Sequence, residues 1–316
     1  MKFSAETVKT RAREAGFSAC GIVPAEKVAS WRVAQVRQWL DAGRNGTMDY
    51  LSRHFEMRAD PTLLVPGAKS IICVALNYFP ALSQQEPTYH FARYAYGQDY
   101  HEVVRRKLRQ LQEQLGLTGR AFCDTAPVDE RYWAWRSGLG WLGRNTQLIV
   151  PHAGSYFFLG ELMVTEEADA YDEPMASRCG SCRACIEACP AGALSADKGL
   201  DARRCLSYLT IESREDLPAE AAGQMGNCVY GCDRCAEVCP WNRFAQPTQE
   251  ADLQPREAFL QMTAADWQQL TREQYQQLFK GSAVKRAKYE GLVRNIRAVA
   301  GAHEPDKKTS EPDRTE

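Results

Sequence analysis

The chain has 316 residues, with 39 Lys and Arg against 40 Asp and Glu, a formal net charge of -1 and a hydrophobic content of 44%. This length allows two or three domains with real cores, and the even charge balance leaves nucleic-acid binding to be judged from local clusters alone. The sequence has no apolar run of membrane-spanning length, so we expect no membrane partner.

Residues 1–170 alternate helix-like and strand-like patterns. The first 17 residues, "MKFSAETVKTRAREAGF", have the pattern of an amphipathic helix and lack the apolar region of an export signal, so we expect a cytoplasmic protein without disulfides. Two more helices, each with a Gly stop, are predicted in "VASWRVAQVRQWLDAG" and "DYHEVVRRKLRQLQEQLG". Strands are predicted in "AKSIICVALNYF", "GRAFCDTAP", "NTQLIVP" and "SYFFLGELMV". The pattern indicates an α/β or α+β domain.

The segment "GLGWLG", from Gly138 to Gly143, satisfies the G-x-G-x-x-G pattern of dinucleotide-binding proteins. That pattern indicates a nucleotide site only where it follows a strand and begins a helix. Here a helical stretch, "VDERYWAWRS", precedes it and a strand-like stretch follows. We therefore interpret it as a tight, glycine-rich turn where the backbone passes close to something large.

Two proline-terminated cysteine runs follow. The first, "CGSCRACIEACP" from Cys179 to Pro190, has the spacing with which bacterial ferredoxins bind one four-iron cluster through three cysteines and reach a second cluster with the fourth. That spacing predicts a second run, and "CVYGCDRCAEVCP" from Cys228 to Pro240 repeats its ending. The pair predicts two 4Fe-4S clusters in a ferredoxin-like domain over residues 171–245, after the acidic, loop-like "TEEADAYDEP".

Two such clusters need eight ligands, and nine of the twelve cysteines lie between Cys179 and Cys239. In the crossed arrangement the first cluster takes Cys179, Cys182, Cys185 and Cys239, and the second takes Cys189, Cys232 and Cys235. The eighth ligand is Cys205 or Cys228, and spacing does not decide between them. The remaining cysteines are expected to be ordinary buried residues: Cys20, Cys73 and Cys123.

Zinc is the main alternative for these cysteines, because zinc ribbons also use paired Cys-x2-Cys motifs. The third cysteine two residues further on and the Cys-Pro endings favour a four-iron cluster.

The C-terminal part is helical in pattern over residues 246–301. Its last stretch, "FKGSAVKRAKYEGLVRNIRAVAG", predicts a helical pair that forms an outer arm. Six cations lie between Lys280 and Arg297 against one acid, Glu290, for a local charge of +5. Such a patch suits a phosphate backbone, although a solvated helix face has the same pattern. Residues 302–316 are polar and without periodicity, and we expect them to be disordered.

Several segments together resemble one known family. "CDTAPVDERYWAWRSGLGWLGRNTQLI", "RYAYGQDYH", "CLSYLTIE" between the two cysteine runs, and the last helical stretch are similar to epoxyqueuosine reductases, from about residue 5 to residue 301. The resemblance implies a cobalamin-dependent iron-sulfur enzyme that reduces the epoxide of epoxyqueuosine at the tRNA wobble position, in the last step of queuosine synthesis. The implied fold is α+β, with an N-terminal α/β corrinoid-binding domain over residues 1–170 and a short, HEAT-like helical region over 246–301.

The resemblance also implies roles for individual residues. Asp124, in the "DTAP" turn, would be the proton donor, and Cys205 would be the eighth cluster ligand, which leaves Cys228 spare. Corrin contacts are expected from Ser207, Cys232 with Asp233, Arg93 and Asn145. Contacts to the tRNA are expected from Arg214, Lys285, Arg286 and Arg294. One departure is Tyr96, where the family commonly has an arginine; nearby Arg93 is a possible substitute.

Two physical expectations accompany these roles. An acid must keep its proton at neutral pH, and we expect burial against Trp133 and Trp135 to raise the pKa of Asp124. A wobble base lies in a single-stranded loop, where proteins stack bases on aromatic rings. The aromatic side chains expected to do so are Tyr132, Trp133, Trp135 and Trp141.

The implied partners are a tRNA carrying epoxyqueuosine and an external low-potential electron donor, and we expect a monomer. The alternatives are a reductive dehalogenase, a non-catalytic electron-transfer subunit and a zinc-stabilised nucleic-acid binding module. The first usually carries a twin-arginine export signal, which this N-terminus lacks. The second would not need the "DTAP" turn or the basic C-terminal stretch.

Overall fold

The computed structural model describes residues 2–85 and 87–303. The disordered tail predicted over 302–316 lies outside the described residues from position 304 onward. The helices are α1 (Ala5–Glu14), α2 (Ser30–Asp41), α3 (Phe55–Ala59), α4 (Tyr100–Leu115), α5 (Glu130–Arg136), α6 (Ala184–Glu187), α7 (Leu206–Ile211), α8 (Ala221–Met225), α9 (Arg234–Glu237), α10 (Glu257–Leu260), α11 (Ala264–Gln268), α12 (Arg272–Leu278) and α13 (Lys288–His303). The strands are β1 (Lys2–Phe3), β2 (Ala19–Pro24), β3 (Ser70–Asn77), β4 (His90–Phe91), β5 (Gly119–Phe122), β6 (Trp141–Leu142), β7 (Leu148–Ile149), β8 (Phe157–Val164), β9 (Glu167–Ala168), β10 (Leu194–Ser195), β11 (Gly199–Leu200) and β12 (Cys228–Tyr230).

A four-stranded sheet in the order β2-β3-β8-β5 forms the centre of the N-terminal part. Every neighbouring pair in it is antiparallel. The predicted helices and long strands of this part are all present, and the mixed helix and sheet content is as expected. The description of this domain as α/β is wrong in its usual sense, because α/β domains are built on parallel strands.

The two faces of the sheet carry separate cores. In β3, Ile72, Val74 and Leu76 pack in the core beneath α1 and α4. Their neighbours on the strand face the other way and pack with residues of α5. This alternation follows from the two-residue period of a strand, and burial on both faces explains why "SIICVAL" is a continuous apolar run.

A third core joins segments that the sequence assigned to three domains. It contains Phe91 and Tyr96 from the N-terminal part, Leu206 and Tyr230 from the cluster region, and Trp267 and other residues of the C-terminal helices. Tyr96, the residue that departs from the family pattern, is buried there against Phe259, with ring centroids 5.0 Å apart. The helical region over 246–301 is therefore packed into the body of the protein.

The helix α13 shows this packing most clearly. Asn295 is fully buried, and its side-chain amide donates to the carbonyls of Thr210 and Val229 at 2.8 Å each. The expected helical pair is one long helix preceded by a 3-10 turn at Ala283–Ala287. The expectation of an outer arm is wrong, because a helix that buries an amide and three aliphatic side chains cannot stand apart.

Within the described ranges, no helix is both long and apolar enough to cross a membrane.

The glycine-rich segment from 138 to 143 lies between α5 and β6, so a helix precedes it and a strand follows it. Gly138 has a φ of 72°, and a Cβ at Gly140 would lie 2.1 Å from the carbonyl oxygen of Ile149. The large neighbour of this turn is thus the protein's own strand β7, and the dinucleotide pattern is accounted for by backbone packing.

Candidate active site

Four cysteines from the two runs line one cavity. They are Cys179, Cys182, Cys185 and Cys239. The first three come from a turn and from α6, whereas the fourth follows α9 in the second run. The turn is closed by Gly180, with a φ of 53°, and by a 3.1 Å hydrogen bond from the Cys182 N–H to the Cys179 carbonyl. A ring of thiols from two separated segments has the donor set of a four-iron cluster, and it is the set expected for the first cluster.

A second group of thiols is expected to hold the other cluster. Its expected members are Cys189, Cys205, Cys232 and Cys235. Burial raises the pKa of the Cys235 thiol to about 12, and the charges of Cys205 and Cys189 act in the same direction. Burial also raises the pKa of Cys232, with contributions from Cys228 and Cys205. Cys205 acts on both of these thiols whereas Cys228 acts on Cys232 alone, which is consistent with Cys205 as the eighth ligand, an assignment that stays a prediction.

The ninth cysteine, Cys228, lies on β12 opposite His90 of β4. Burial raises the pKa of its thiol, and Arg234, which donates a hydrogen bond to the thiol, acts in the opposite direction. This partner gives Cys228 a local role in the strand pair.

Asp124 stands at the end of β5 in a left-handed backbone conformation, with a φ of 58°. Its Oδ2 accepts a hydrogen bond from the Tyr100 hydroxyl at 2.6 Å and lies 3.1 Å from Nε2 of His101. Nδ1 of His101 lies 2.5 Å from Oδ1 of Asp99, which also caps α4. The first turn of α4 thus brings three polar side chains to Asp124. We call these four residues the carboxylate network.

The network sets the pKa of Asp124 in the direction opposite to the one expected. Burial favours the neutral acid, but hydrogen bonds from His101 and Tyr100, together with the charge of His101, outweigh it and lower the pKa of Asp124. Burial likewise opposes the charge of His101, yet its two carboxylate partners raise the pKa of His101 to about 9. At neutral pH the proton therefore resides on His101, and Asp124 is ionised.

The aromatic side chains expected beside Asp124 lie elsewhere. Tyr132, Trp133 and Trp141 are at most 2% exposed, so they cannot stack on a base. Trp135 donates its indole N–H to the Met175 carbonyl at 3.0 Å. The expectation of base stacking is wrong for Tyr132 and Trp133 because α5 turns these rings into the core beneath the sheet, and for Trp141 because β6 packs it against Trp241. Trp135 is half-buried. Two exposed aromatic rings lie in this part of the chain: Trp31, 51% exposed and packed on Trp135, and Tyr50, 44% exposed, with the Arg286 guanidinium 5.5 Å from its ring centroid.

Arg131 connects the carboxylate network with the second cysteine group. Burial is the largest influence on both Asp124 and Cys205, and the charge of Arg131 lowers the pKa of each. Arg131 is held in place by a 3.0 Å hydrogen bond to the carbonyl of Thr146. The acid and the thiols are therefore close to the same guanidinium.

The residues expected to contact a corrin lie around the cysteines. The backbone N–H of Arg93 donates to Asp233 at 2.8 Å, and its guanidinium bonds Asp233 at 3.3 Å and Glu237 at 2.7 Å. Burial raises the pKa of Asp233, against the effect of Arg93. Ser207 is half-buried on α7, two residues after Cys205. Asn145 lines the cavity of the first cysteine group and donates to the Cys235 carbonyl at 3.4 Å.

The expected tRNA contacts divide into two kinds. Arg214, Lys285 and Arg286 are exposed. Arg214 also donates to the carbonyls of Ile211, Arg286 and Ala287. Arg286 forms a two-point ion pair with Glu212 at 2.8 and 2.6 Å. Arg294, by contrast, uses all five of its N–H groups within the protein. Its acceptors are the carbonyls of Leu209, Ser213 and Glu215 and the side chain of Asn295. The expectation of a phosphate contact by Arg294 is not supported, because no donor is left for it.

Sequence reasoning missed Asp99, Tyr100 and His101 as parts of the site. All three lie in "RYAYGQDYH", a stretch that carried the family resemblance. An Asp-Tyr-His triplet at a helix start is itself a usable signal, because it combines a cap, a phenol and an imidazole within one turn.

Two protein families match the chain. Residues 178–242 match the family described as "4Fe-4S double cluster binding domain", and residues 58–125 match "Epoxyqueuosine reductase QueG, DUF1730". Fold and cysteine module together define the class of the protein, an iron-sulfur oxidoreductase with a double-cluster domain.

Relatives then show the particular family. An epoxyqueuosine reductase from Cellulophaga algicola is 43% identical over 92% of this chain and 96% of its own length. The chain belongs to the epoxyqueuosine reductase family.

Solved structures of epoxyqueuosine reductases are similar to this chain in fold. A crystal structure of epoxyqueuosine reductase with an epoxyqueuosine-modified tRNA-Tyr stem loop is 28% identical, with a TM-score of 0.84 over 94% of this chain and 80% of that one. The enzyme from Bacillus subtilis, described with its catalytic aspartate loop swung out of the active site, is 27% identical with a TM-score of 0.85 over 94% and 81% of the two chains.

Proposed function

We propose that this protein reduces the epoxide of epoxyqueuosine at the tRNA wobble position to give queuosine. Membership of the family supports the reaction, and the tRNA stem loop bound by a relative supports the substrate. The observation that carries the proposal is Asp124, a carboxylate on a left-handed loop, close to the same arginine as Cys205 of the second cysteine group.

Two 4Fe-4S clusters are part of the proposal. Four thiols line a single cavity, and this donor set fits the first cluster. The second would be held by Cys189, Cys205, Cys232 and Cys235. An external low-potential donor would deliver electrons to them one at a time. The monomeric state stays a prediction.

Cobalamin is the proposed organic cofactor, and Ser207, Arg93, Asp233 and Asn145 would hold it. When bound, it supplies the reductive cleavage of the carbon-oxygen bond, which no side chain can perform. Both ring nitrogens of His101 have carboxylate partners, so this imidazole is not free to bind a metal.

Epoxide opening to an alkene and water consumes two electrons and two protons, and the carboxylate network handles protons. His101 holds a proton at neutral pH, and its Nε2 lies 3.1 Å from Oδ2 of Asp124. Asp124 takes this proton and passes it to the substrate oxygen as the carbon-oxygen bond breaks. A carboxyl with a lowered pKa is a strong acid once protonated, which favours rapid transfer.

Surface groups near Asp124 suit a single-stranded loop of tRNA. Tyr50 offers an exposed ring on which a base can stack, and Arg214, Lys285 and Arg286 offer cations for phosphates. Arg286 is already paired with Glu212 and lies over one face of the Tyr50 ring, so its role is to orient this ring as well as to attract the backbone.

The test uses protein purified without oxygen. We expect about eight irons per chain, a change in the cobalamin spectrum on binding, and reduction of epoxyqueuosine in tRNA when a low-potential reductant is supplied. Eight irons without cobalamin binding or turnover would leave an electron-transfer protein and would contradict the proposal.

A further inference from the structure

Glu161 is a buried acid that the proposed mechanism does not use. It lies in the middle of β8, is 0% exposed, and neither carboxyl oxygen has a hydrogen-bond partner among the described residues. A carboxylate without a partner in such a place would be very costly, so the group is neutral. Accordingly, burial raises its pKa well above the ordinary value. The strand therefore carries a bound proton in the core.

The position of Glu161 in the sheet places that proton close to the loop that carries Asp124. Leu159 and Met163, two residues away on either side, lie on the face of the sheet that α5 covers, so Glu161 points there too. Its partner across the strand pair is Phe122, two residues before Asp124. Glu130, the first residue of α5, is the charged group that acts most strongly on Glu161.

Glu130 connects the core to the reactive loop. Its Oε1 accepts a hydrogen bond from the backbone N–H of Asp124. Burial and the charge of Asp124 raise the pKa of Glu130 to about 8, although Arg131 and His101 act in the opposite direction. Glu130 therefore also holds its proton at neutral pH, directly beside the loop that bears the ionised Asp124.

The surroundings explain why the two acids remain neutral. Arg58 of α3 lies near Glu130, and its Nη1 donates to the Val128 carbonyl at 2.8 Å. Its Nε has no partner among the described residues, and burial lowers the pKa of this guanidinium, which weakens its effect on Glu130. Asp129 is neutralised by a two-point ion pair with Arg32 at 2.7 and 3.1 Å. The titratable and charged groups that face the pair are Asp124, Asp129, Arg131, Arg58, Tyr100, His101, Cys73 and Cys123.

We propose that Glu130 and Glu161 form a buried proton store behind Asp124 and supply one of the two protons that the reduction consumes. This inference rests on the proposed function. After Asp124 has released the proton received from His101, the O–H bond of Glu130 breaks and an O–H bond forms on Asp124. Glu130 then takes the proton of Glu161, which is recharged from solvent after product release. In sum, the epoxide, two electrons from the low-potential donor and two protons give an alkene and water.

The experiment compares the full-length holoprotein with Glu161→Gln and Glu130→Gln, which keep the shape of a neutral carboxyl and remove its proton. Asp129→Asn is the matched control, because it removes a nearby carboxyl group that is paired with Arg32. Infrared spectra at neutral pH in H2O and D2O detect protonated carboxyl groups. Turnover with epoxyqueuosine-tRNA is measured against pH, with KM and kcat separated and the solvent isotope effect recorded.

We expect a protonated-carboxyl band in the wild type that is lost in Glu161→Gln and kept in Asp129→Asn. In both Gln variants kcat should fall about tenfold or more with KM unchanged, and the loss should grow toward high pH. An unaltered band in Glu161→Gln would contradict the proposed proton store. Wild-type kcat with an unaltered isotope effect in both Gln variants would also contradict it. A wild type that shows the band but does not reduce epoxyqueuosine would instead overturn the proposed function.

Discussion

The cysteine module and the carboxylate network hold their reactive groups by different means. In the module, α6 buries none of its residues and α9 buries one, Ala236. In the network, Tyr100 is stacked between His101 and Phe158, with ring centroids 4.0 and 4.2 Å away, on a helix with four buried aliphatic side chains. A region with little core of its own depends on its metal for shape, whereas the network is held by the sheet whether or not a cofactor is bound.

The largest effect is expected from losing a cluster ligand. Cys239→Ser removes a member of the first group although it lies in the second run, so iron should fall from about eight to about four per chain and turnover should be abolished. Far-ultraviolet circular dichroism should still report the antiparallel sheet, because the cores around it do not include the module.

Cys228→Ser is the matched control, since this thiol has Arg234 as a partner and is left out of both ligand sets. It should keep about eight irons, whereas Cys205→Ser should lose a cluster. The reverse outcome for these two variants would show that the eighth ligand is misassigned.

The next largest effect is expected at the acid. Asp124→Asn keeps the shape of the loop but can neither accept a proton from His101 nor deliver it, so kcat should fall by about 10² to 10⁴ with iron content unchanged. Tyr100→Phe removes only one hydrogen bond to Asp124 and should cost about tenfold or less. Equal losses in the two variants would mean that Tyr100 moves protons as well.

The same contrast explains what was predictable from sequence. Cluster ligands are set by short spacings, so the four thiols of the first cavity could be named in advance, including Cys239 across the two runs. The strand β3 was recognisable because a run buried on both faces has no polar positions. Such signals are local, and they need no knowledge of which segments meet.

The carboxylate network could not be derived in that way. Asp124 meets His101 only because the start of α4 and the end of β5 lie together in the fold, and a pKa depends on such neighbours more than on burial alone. In the same way, Trp133 is buried because of the orientation of α5 in the fold, which the sequence alone does not show. An antiparallel order for the sheet likewise depends on long-range pairing that strand periodicity does not encode.

The pH dependence of the free energy of unfolding tests how strongly the carboxylate network is held in the folded chain. His101 is held as a cation by Asp99 and Asp124 only in the folded chain, so its folded pKa of about 9 exceeds the ordinary value of about 6.5. The resulting stabilisation, about 3 kcal/mol, is fully present below about pH 6.5 and is lost as the pH rises through about 9. Urea unfolding of wild type and His101→Gln at several pH values measures it as the difference between the two proteins. A constant difference from pH 6 to pH 10 would contradict it.

The smallest effects are expected among the cations of the C-terminal helices, where the same contrast between built-in and exposed groups recurs. Lys285 is exposed, so Lys285→Ala should weaken tRNA binding a few-fold, reduce the salt dependence by about one charge and leave the free energy of unfolding within about 0.5 kcal/mol. Arg294→Ala, the matched variant, leaves three carbonyls without their donor and should cost about 2 kcal/mol of stability with an unchanged salt slope. Binding titrations at several salt concentrations separate the two cases. A reduced slope in Arg294→Ala would show that this guanidinium leaves its internal acceptors when tRNA binds.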